Sequence, residues 1–418
     1  MSDSQSEQSI KFQPILLGSD INVYGMARSF YEEYGVTSIA HASAALAPTK
    51  DSKIVTVNVH EGFSSDPVFI ETMRDLMKQY QDSDTKYLLI ACGDGYAELV
   101  SRHKDELSEV FICPYIDHDL FVSLEDKVSF YDICEQYHLP YPSTKIIDKM
   151  MVDSGEEIEL PFEFPVALKP ANSVEWLDVD FEGRKKAFTI KSKEEFNEIL
   201  NKIYNVGGYT DKMICQDFIP GDDSHMRVLN AYVDQNHKVR MMCLGHPLLE
   251  DPSPSAIGNY VVIMPDYNDK IYQRIQHFLE EINFTGFANF DMKYDSRDDE
   301  YKLFEINLRQ GRSSFYCTLN GYNLAKYVTE DRIFNTPFTE TVYGQGDMLW
   351  MGVPNKVFKE YAKDSEDKEK ALAMLNSGHY GTTVFYDKDR NFKRTLLMKY
   401  AFHRYIGQYK KYFKENKG

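Results

Sequence analysis

Two periods of hydrophobic alternation divide this chain. Up to residue 116, "PILLG" (14–18), "KIVTVNV" (53–59), "KYLLIACG" (86–93) and "VFICPYI" (110–116) are β-branched, apolar runs. Stretches with helical spacing, Asn22–Tyr34 and Pro67–Tyr80, lie between them. Strands interleaved with helices predict a parallel sheet covered on both faces. Two turns, "GSD" at Gly18–Asp20 and "GDG" at Gly93–Gly95, follow strands, where open α/β sheets bind ligands. Neither is a GxGxxG, and the chain has no GxxxxGKS or GxxxxGKT phosphate loop.

From residue 123 the pattern changes. "SLEDKVSFYDICEQYHLPYPST" predicts a helix from near Leu124 that stops before Pro140, with acids at its start to suit the helix dipole. "FPVALKPA" (164–171) predicts a strand ending in Lys169. "DKMICQDFIPGDDSHMRVLNAYVD" (211–234) predicts strand, Pro-Gly turn and strand, and "HKVRMMCLG" (237–245) a third. "GFANFDMKYDSRDDEYKLFEINLR" (286–309) predicts a hairpin around an acidic turn. After about residue 335 come a Gly-rich connection and helical, aromatic-rich sequence. The expected domains are 1–122, 123–212, 213–335 and 336–418.

Composition narrows the classes of function. The 418 residues are 43% hydrophobic, with 29 Tyr and 26 Phe, which suits several packed cores and excludes a largely disordered chain. No apolar run approaches the roughly 20 residues of a membrane span, and the polar start, "MSDSQSEQSI", has the pattern of neither signal peptide nor anchor. Six cysteines without CxxC spacing point to reduced thiols and a cytoplasmic setting. The net charge of −18 disfavours nucleic acid as a partner. The last segment departs from that balance: from Lys388 to Gly418 there are ten Lys or Arg against two acids.

Candidate chemistry concentrates in the hairpin. In its first strand Asn289, Asp291 and Lys293 alternate with apolar residues, and in its second Glu305, Asn307 and Arg309 do the same. A turn centred near Asp298 sets Asp291 opposite Glu305 and Asn289 opposite Asn307. Directly opposed side chains lie about 4.5–5.5 Å apart at Cβ, so the two carboxylates repel unless a cation lies between them. A hard divalent ion, Mg²⁺ or Mn²⁺, with Asn307 adding a neutral oxygen, is the economical solution, and Mg²⁺ favours one or two carboxylates plus phosphate. Arg309 and Arg312 then predict a further anion nearby.

These spacings resemble the ATP-grasp superfamily of carboxylate–amine ligases. Its members carry a hairpin acid followed by an E-x-N-x-R strand, and here stands "FDMKYD…FEINLRQGR". The family's two lysines match Lys127, at a helix start, and Lys169, at a strand end. Its adenine-binding linker matches "MICQDFIPG", giving Gln216, Asp217, Phe218 and Ile219. The resemblance covers roughly residues 120–330, and it implies an N-terminal parallel α/β domain, a two-lobed domain with antiparallel sheets, and a mainly helical C-terminal extension. It also implies ATP and Mg²⁺ as cofactors. Lys127 and Lys169 would hold phosphates, with Lys293 also at the nucleotide; Asp291, Glu305 and Asn307 would hold the metal. Asp222 or Asp223 would meet a ribose hydroxyl, and Arg309 and Arg312 would serve the transferring phosphoryl or the tetrahedral intermediate.

Two features depart from the family pattern. The usual Gly-rich phosphate loop is replaced by "ANSVEWLDVDFEGRKKAF" (171–188), whose Arg184, Lys185 and Lys186 form either a basic lid or an exposed turn. Asn289 stands where D-alanine-type dipeptide ligases place Arg. "FEINLRQGRSSFYCTLNGYNLAKYV" and the layout look most like the D-aspartate ligases of Gram-positive cell-wall synthesis, which join D-aspartate to the lysine of a UDP-linked muramyl pentapeptide. A dicarboxylic substrate needs a cation for its non-reacting carboxylate, and Arg312 and Arg227 are candidates. The alternatives are another amino-acid or purine-pathway ligase of this superfamily, or a non-catalytic ATP-binding regulator. In the basic tail, Phe402, Tyr405, Ile406, Tyr409, Tyr412 and Phe413 recur at helical spacing, with Arg404, Lys410, Lys411 and Lys414 on the rest. That pattern suits a closing helix packed on the body, an attractor for an anionic acceptor, or a weak contact with a membrane surface.

Overall fold

The N-terminal runs form one sheet. β1 (Phe12–Leu17), β2 (Ser38–Ala42), β3 (Val55–Val59), β4 (Lys86–Ala91) and β5 (Phe111–Ile112) order as β3-β2-β1-β4-β5. All four pairings are parallel, with Ile15 level with Ile39 on one side and Leu89 on the other. β2, "SIAHA", is absent from the sequence expectation; its alanines and histidine hide a strand buried between β1 and β3. The strand order reverses between β1 and β4, so the crevice beyond their carboxyl ends is the sheet's topological switch point. The helix Ile21–Tyr34 leaves β1 there, its start capped by the Asp20 carboxylate at the amides of Asn22 (3.0 Å) and Val23 (3.3 Å). Gly35, at φ +66°, ends it.

The computed structural model describes residues 10–172, 175–254, 256 and 258–417; the side chains of Leu177, Asp223 and 414–417 lie outside the described set. The N-terminal tail, the proposed ribose ligand Asp223 and the tail cation Lys414 therefore carry no structural account. The chain divides into two compact units, one of Met1–Phe121, Met226–Phe290 and Asn307–Gly418, the other of Val122–His225 and Asp291–Ile306.

The second unit holds a four-stranded antiparallel sheet of β6 (Thr144–Ile147), β7 (Val166–Pro170), β8 (Phe188–Ile190) and β9 (Met213–Asp217), ordered β6-β9-β7-β8. Its core gathers Val166, Leu168, Trp176, Phe188, Phe196 and Tyr209. The single helix expected from Leu124 is broken: His118–Glu125 ends, Asp126 takes an extended conformation, and Lys127–Gln136 begins. Asp126 accepts from the Ser129 amide at 2.8 Å, so the acid read as a dipole complement is a cap that restarts the helix at Lys127.

A larger sheet is built from β10 (Met226–Val233), β11 (Val239–Glu250), β12 (Tyr260–Asp266), β13 (Gly286–Asp295), β14 (Glu300–Asn307), β15 (Val342–Tyr343), β16 (Leu349–Met351) and β17 (Tyr380–Gly381). Its order is β14-β13-β10-β11-β12-β16-β17, with β15 beside β11. β11 is buried over most of its length on both faces, and its middle, Met241–Leu244, is apolar rather than alternating. Gly286 opens β13 at φ +92°, where a Cβ would lie 2.0 Å from the Pro114 carbonyl oxygen. The region after residue 335 thus adds three short strands to this sheet as well as its helices.

The closing helix, Phe392–Lys417, packs through the predicted apolar face: Tyr409 is fully buried and donates to the Glu250 carbonyl at 2.6 Å. Tyr405, Ile406 and Phe413 join the same cluster, and Phe402 lies against the main core. Just before and inside its first turn, Asp389 and Arg394 form a buried ion pair at 3.0 Å. Asp389 also accepts from the Tyr24 and Ser52 hydroxyls (2.9 and 2.8 Å), and Arg394 donates to the carbonyls of Pro48 and Lys50 while lying 4.0 Å over the Tyr24 ring. Removing one partner leaves a buried uncompensated charge. Arg394→Met is therefore expected to lower unfolding free energy by about 3–5 kcal/mol in urea titrations. A loss below about 1 kcal/mol, the range of exposed pairs, would contradict this role.

Candidate active site

Within the second unit, Lys127 and Lys169 converge from a helix start and a strand end. Lys127 opens its helix because Asp126 caps it, and Lys169 sits next to last in β7. Burial pushes both ammonium groups below the ordinary lysine range. Lys169 and the exposed Lys186 push Lys127 down further, while Glu305 pulls both Lys127 and Lys169 back up. Lys169 also donates to the Tyr131 hydroxyl at 3.2 Å and lies 5.9 Å over the Phe304 ring. Tyr131, one helical turn after Lys127, in turn donates to the Phe304 carbonyl at 3.0 Å. The sequence reading missed Tyr131, although its i+4 spacing from Lys127 was a usable signal.

In the segment 171–188, Arg184, Lys185 and Lys186 are all exposed. Arg184 donates to the carbonyls of Trp176 (2.9 Å) and Val179 (2.6 Å), so it braces its own loop. The positive charge of Lys186 lowers the basicity of Lys127.

The linker after β9 is clasped by the hairpin. Lys293 donates to the carbonyls of Ile219 (2.9 Å) and Gly221 (2.7 Å) and lies 5.4 Å from the Phe218 ring centre. Arg297 makes paired bonds to Asp217 (3.1 and 2.6 Å) and also holds Asp295 (2.8 and 2.7 Å). The amide of Asp217 is engaged by the Ser143 carbonyl. Gln216 is buried and donates to the Thr144 hydroxyl at 2.9 Å. Arg297 was not singled out in the sequence, because an arginine in an acidic turn reads as ordinary surface charge.

In the first unit the remaining candidates surround the switch point. Asn307 donates to the Asn289 side-chain oxygen at 3.1 Å. Asn289 donates on to the Leu229 carbonyl at 3.2 Å, and Gly311 is tight against it: a Cβ there would meet the amide nitrogen at 2.9 Å. Arg309 bonds Asp94 (2.8 Å), the Asn307 oxygen (3.3 Å) and the Gln310 carbonyl (3.1 Å). Asn22 donates to the carbonyls of Cys92 and Gln310, both at 3.2 Å. Burial raises the Asp20 carboxyl above its usual range, opposed first by Arg312 and, less, by Arg309. Arg312 makes no ion pair among the described residues and lies close enough to the Tyr405 hydroxyl to counter the effect of burial on it. Asp20, Asn22 and Tyr405 were not recognised as site residues; a cap, an amide and a tail aromatic each have commoner structural roles. Arg227, the other candidate for the non-reacting carboxylate, is bound to Asp266 as an ion pair.

No family model matches this chain. It is 68% identical over 414 residues to the D-aspartate ligase of Enterococcus faecium (strain Aus0004), covering 98% of both chains. This chain belongs to the D-aspartate ligase family. Solved structures share its fold at low identity. The L-amino acid ligase of Bacillus licheniformis aligns at TM-score 0.54 and 13% identity, over 77% of this chain and 74% of that one. Phosphoribosylamine–glycine ligase of Thermotoga maritima aligns at 0.55 and 15%, over 80% and 78%. The N5-carboxyaminoimidazole synthetase of Staphylococcus aureus, complexed with ADP, aligns at 0.54 and 13%, over 82% of each chain. The fold is ATP-grasp, and the protein is an ATP-dependent carboxylate–amine ligase.

Depressed lysine basicity gives a signed expectation. A nucleotide phosphate favours the charged ammonium, whereas burial disfavours it. ADP affinity of this D-aspartate ligase homologue should therefore fall as pH rises within the range below about 10.4, the ordinary lysine value. Calorimetric titration across that range should show it, with proton uptake on binding. The Lys127→Met/Lys169→Met double variant should bind weakly with little pH dependence. A pH-independent ADP affinity in the wild type up to about pH 10 would exclude lysine contact with the phosphates.

Proposed function

We propose that this ligase activates D-aspartate with ATP as an acyl phosphate and joins it to the side-chain amine of lysine in a UDP-N-acetylmuramyl pentapeptide. The observation that carries the nucleotide half is the convergence of Lys127 and Lys169, whose ammonium charge burial disfavours, with the positive charges of Lys169 and Lys186 lowering Lys127 further; a polyphosphate would neutralise them. The identity of the amino acid and the acceptor rests on the kinship with the Enterococcus faecium enzyme.

The roles follow from side-chain chemistry. Lys127 and Lys169 hold the phosphates of ATP. The linker Gln216, Asp217, Phe218 and Ile219 receives the adenine, and Lys293 and Arg297 hold that linker in shape. Asp222 or Asp223 meets the ribose. Asp291, Glu305 and Asn307 would supply two carboxylates and an amide. Among the described residues no cluster of three or more His, Cys, Asp or Glu side chains suits a metal by itself. The two carboxylates and the amide of Asp291, Glu305 and Asn307 would hold Mg²⁺, an ion that favours one or two protein carboxylates together with substrate phosphates. When bound, that ion supplies charge neutralisation at the β/γ oxygens.

Phosphoryl transfer demands positioning and charge compensation more than covalent help. Arg309 is placed in the chain to serve the transferring phosphoryl group or the tetrahedral intermediate formed when the amine attacks. Arg312, with a guanidinium not committed to an ion pair among the described residues, holds the α-carboxylate that does not react. Asp20, within its field, is the acceptor suited to the substrate's ammonium.

Two outcomes test this reading. Glu305→Gln should lower kcat by roughly 100-fold or more while circular dichroism and melting stay those of the wild type, because a lost metal ligand removes several kcal/mol of transition-state stabilisation. Activity near wild type at limiting Mg²⁺ would remove Glu305 from the metal site. With D-aspartate and ATP, hydroxylamine in place of the acceptor should yield a hydroxamate and ADP. Release of AMP and pyrophosphate instead would reject acyl-phosphate formation, and equal turnover with other amino acids would reject D-aspartate as the substrate.

A further inference from the structure

The closing helix buries one face and exposes another of unusual composition. Phe392, Leu396 and Tyr400 are 84%, 62% and 64% exposed, among the most exposed large apolar residues of the protein. Steps of four residues set them in one row about 12 Å long. Around and beyond the row, Lys393, Lys399, His403, Arg404, Lys410 and Lys411 are all exposed. From Arg390 to Phe413 the sequence contains no Asp or Glu at all. In a protein of net charge −18, this is a local inversion of sign. The preceding turn is ordinary by comparison, since Arg390 there faces Asp387 at 4.0 Å.

The opposite face explains why the row stays outward. Arg394, Met398 and Tyr409 are buried, and the Asp389–Arg394 pair pins the first turn to the N-terminal part of the chain. The helix cannot roll to hide Phe392 without breaking that pair. Phe385, 41% exposed, packs its ring 4.8 Å from Phe402 and widens the apolar strip.

We propose that this face docks the enzyme reversibly on an anionic lipid surface. The charge complementarity is with phosphate head groups, and the apolar row suits shallow insertion at the head-group boundary. A purely soluble polyanion would use the cations but leave Phe392, Leu396 and Tyr400 without a role. Three inserted side chains with a handful of cations give weak, salt-sensitive binding, since either contribution alone is marginal. The proposal is independent of which amino acid or acceptor the ligase uses.

Co-flotation of the full-length protein with vesicles tests it. Phosphatidylcholine vesicles containing phosphatidylglycerol should carry the protein at low salt, and high salt should release it; phosphatidylcholine alone should carry little. Phe392→Ser/Leu396→Ser/Tyr400→Ser and, separately, Lys399→Ser/Arg404→Ser/Lys410→Ser/Lys411→Ser should each weaken partitioning by about tenfold. Ligase kinetics in vesicle-free solution should be unchanged in the apolar variant, whose substituted side chains are all exposed. If that variant melts early, the cationic variant decides alone. Failure of the wild type to float with anionic vesicles would overturn the proposal, as would undiminished binding by the decisive variant. An apolar variant with raised acceptor KM in solution would assign the row to the acceptor instead, and the membrane proposal falls.

Discussion

Half-buried ammonium groups set the terms for the second unit of this protein. Lys127 and Lys169 stand where burial disfavours their charge, and Lys186 adds a third positive charge. Glu305 compensates in part, and the Tyr131 hydroxyl gives Lys169 one hydrogen-bond partner. An arrangement left positive after its own contacts is poorly optimised for stability and well suited to a polyanion. The same logic explains the surrounding rigidity. Capping by Asp126 fixes Lys127 at its helix start, and β7 pairing holds Lys169. Under the proposed assignment, charge held in place in this way would cost no reorganisation on binding phosphates, which is the main lever available for phosphoryl transfer.

Much of this was legible because it is carried by short-range periodicity. The hairpin could be read from alternation alone, and its register from one turn position; the Asn307–Asn289 bond agrees with that register. The two lysines were legible through order and context along the chain. Gly311 could not have been explained from sequence, because its need is steric and arises from Asn289, which is remote in the chain. β2 was missed because a strand between two others can be small and partly polar. The helix break at Asp126 was missed because a capping aspartate and a dipole-favoured aspartate look identical in sequence.

What stayed hidden in the site has a common cause. Tyr131, Arg297, Asp20 and Tyr405 belong to residue types with abundant structural uses, and only three-dimensional neighbours reveal which use applies. Arg297 appears in an acidic turn as one charge among several, yet it carries two bidentate partners, Asp217 and Asp295. Its planar fork matches two carboxylates at once, which a lysine there could not do. In this way the acidic hairpin turn becomes a clamp on the linker that follows β9, and net charge is converted into local order.

The arginines illustrate how available a cation is for chemistry. Arg227 and its partner Asp266 have side chains 14% and 29% exposed, so separating them would strand two poorly hydrated charges. Arg309 is similarly sheltered at 12%, but its carboxylate partner Asp94 is 57% exposed. An exposed carboxylate is readily rehydrated, and ion pairs of that kind contribute about 0–1 kcal/mol. An anion arriving at Arg309 therefore competes with a partner that water can replace. Arg227 offers no such exchange. The difference lies in the partner rather than in the arginine, and Arg227 joins β10 to the end of β12 through Asp266.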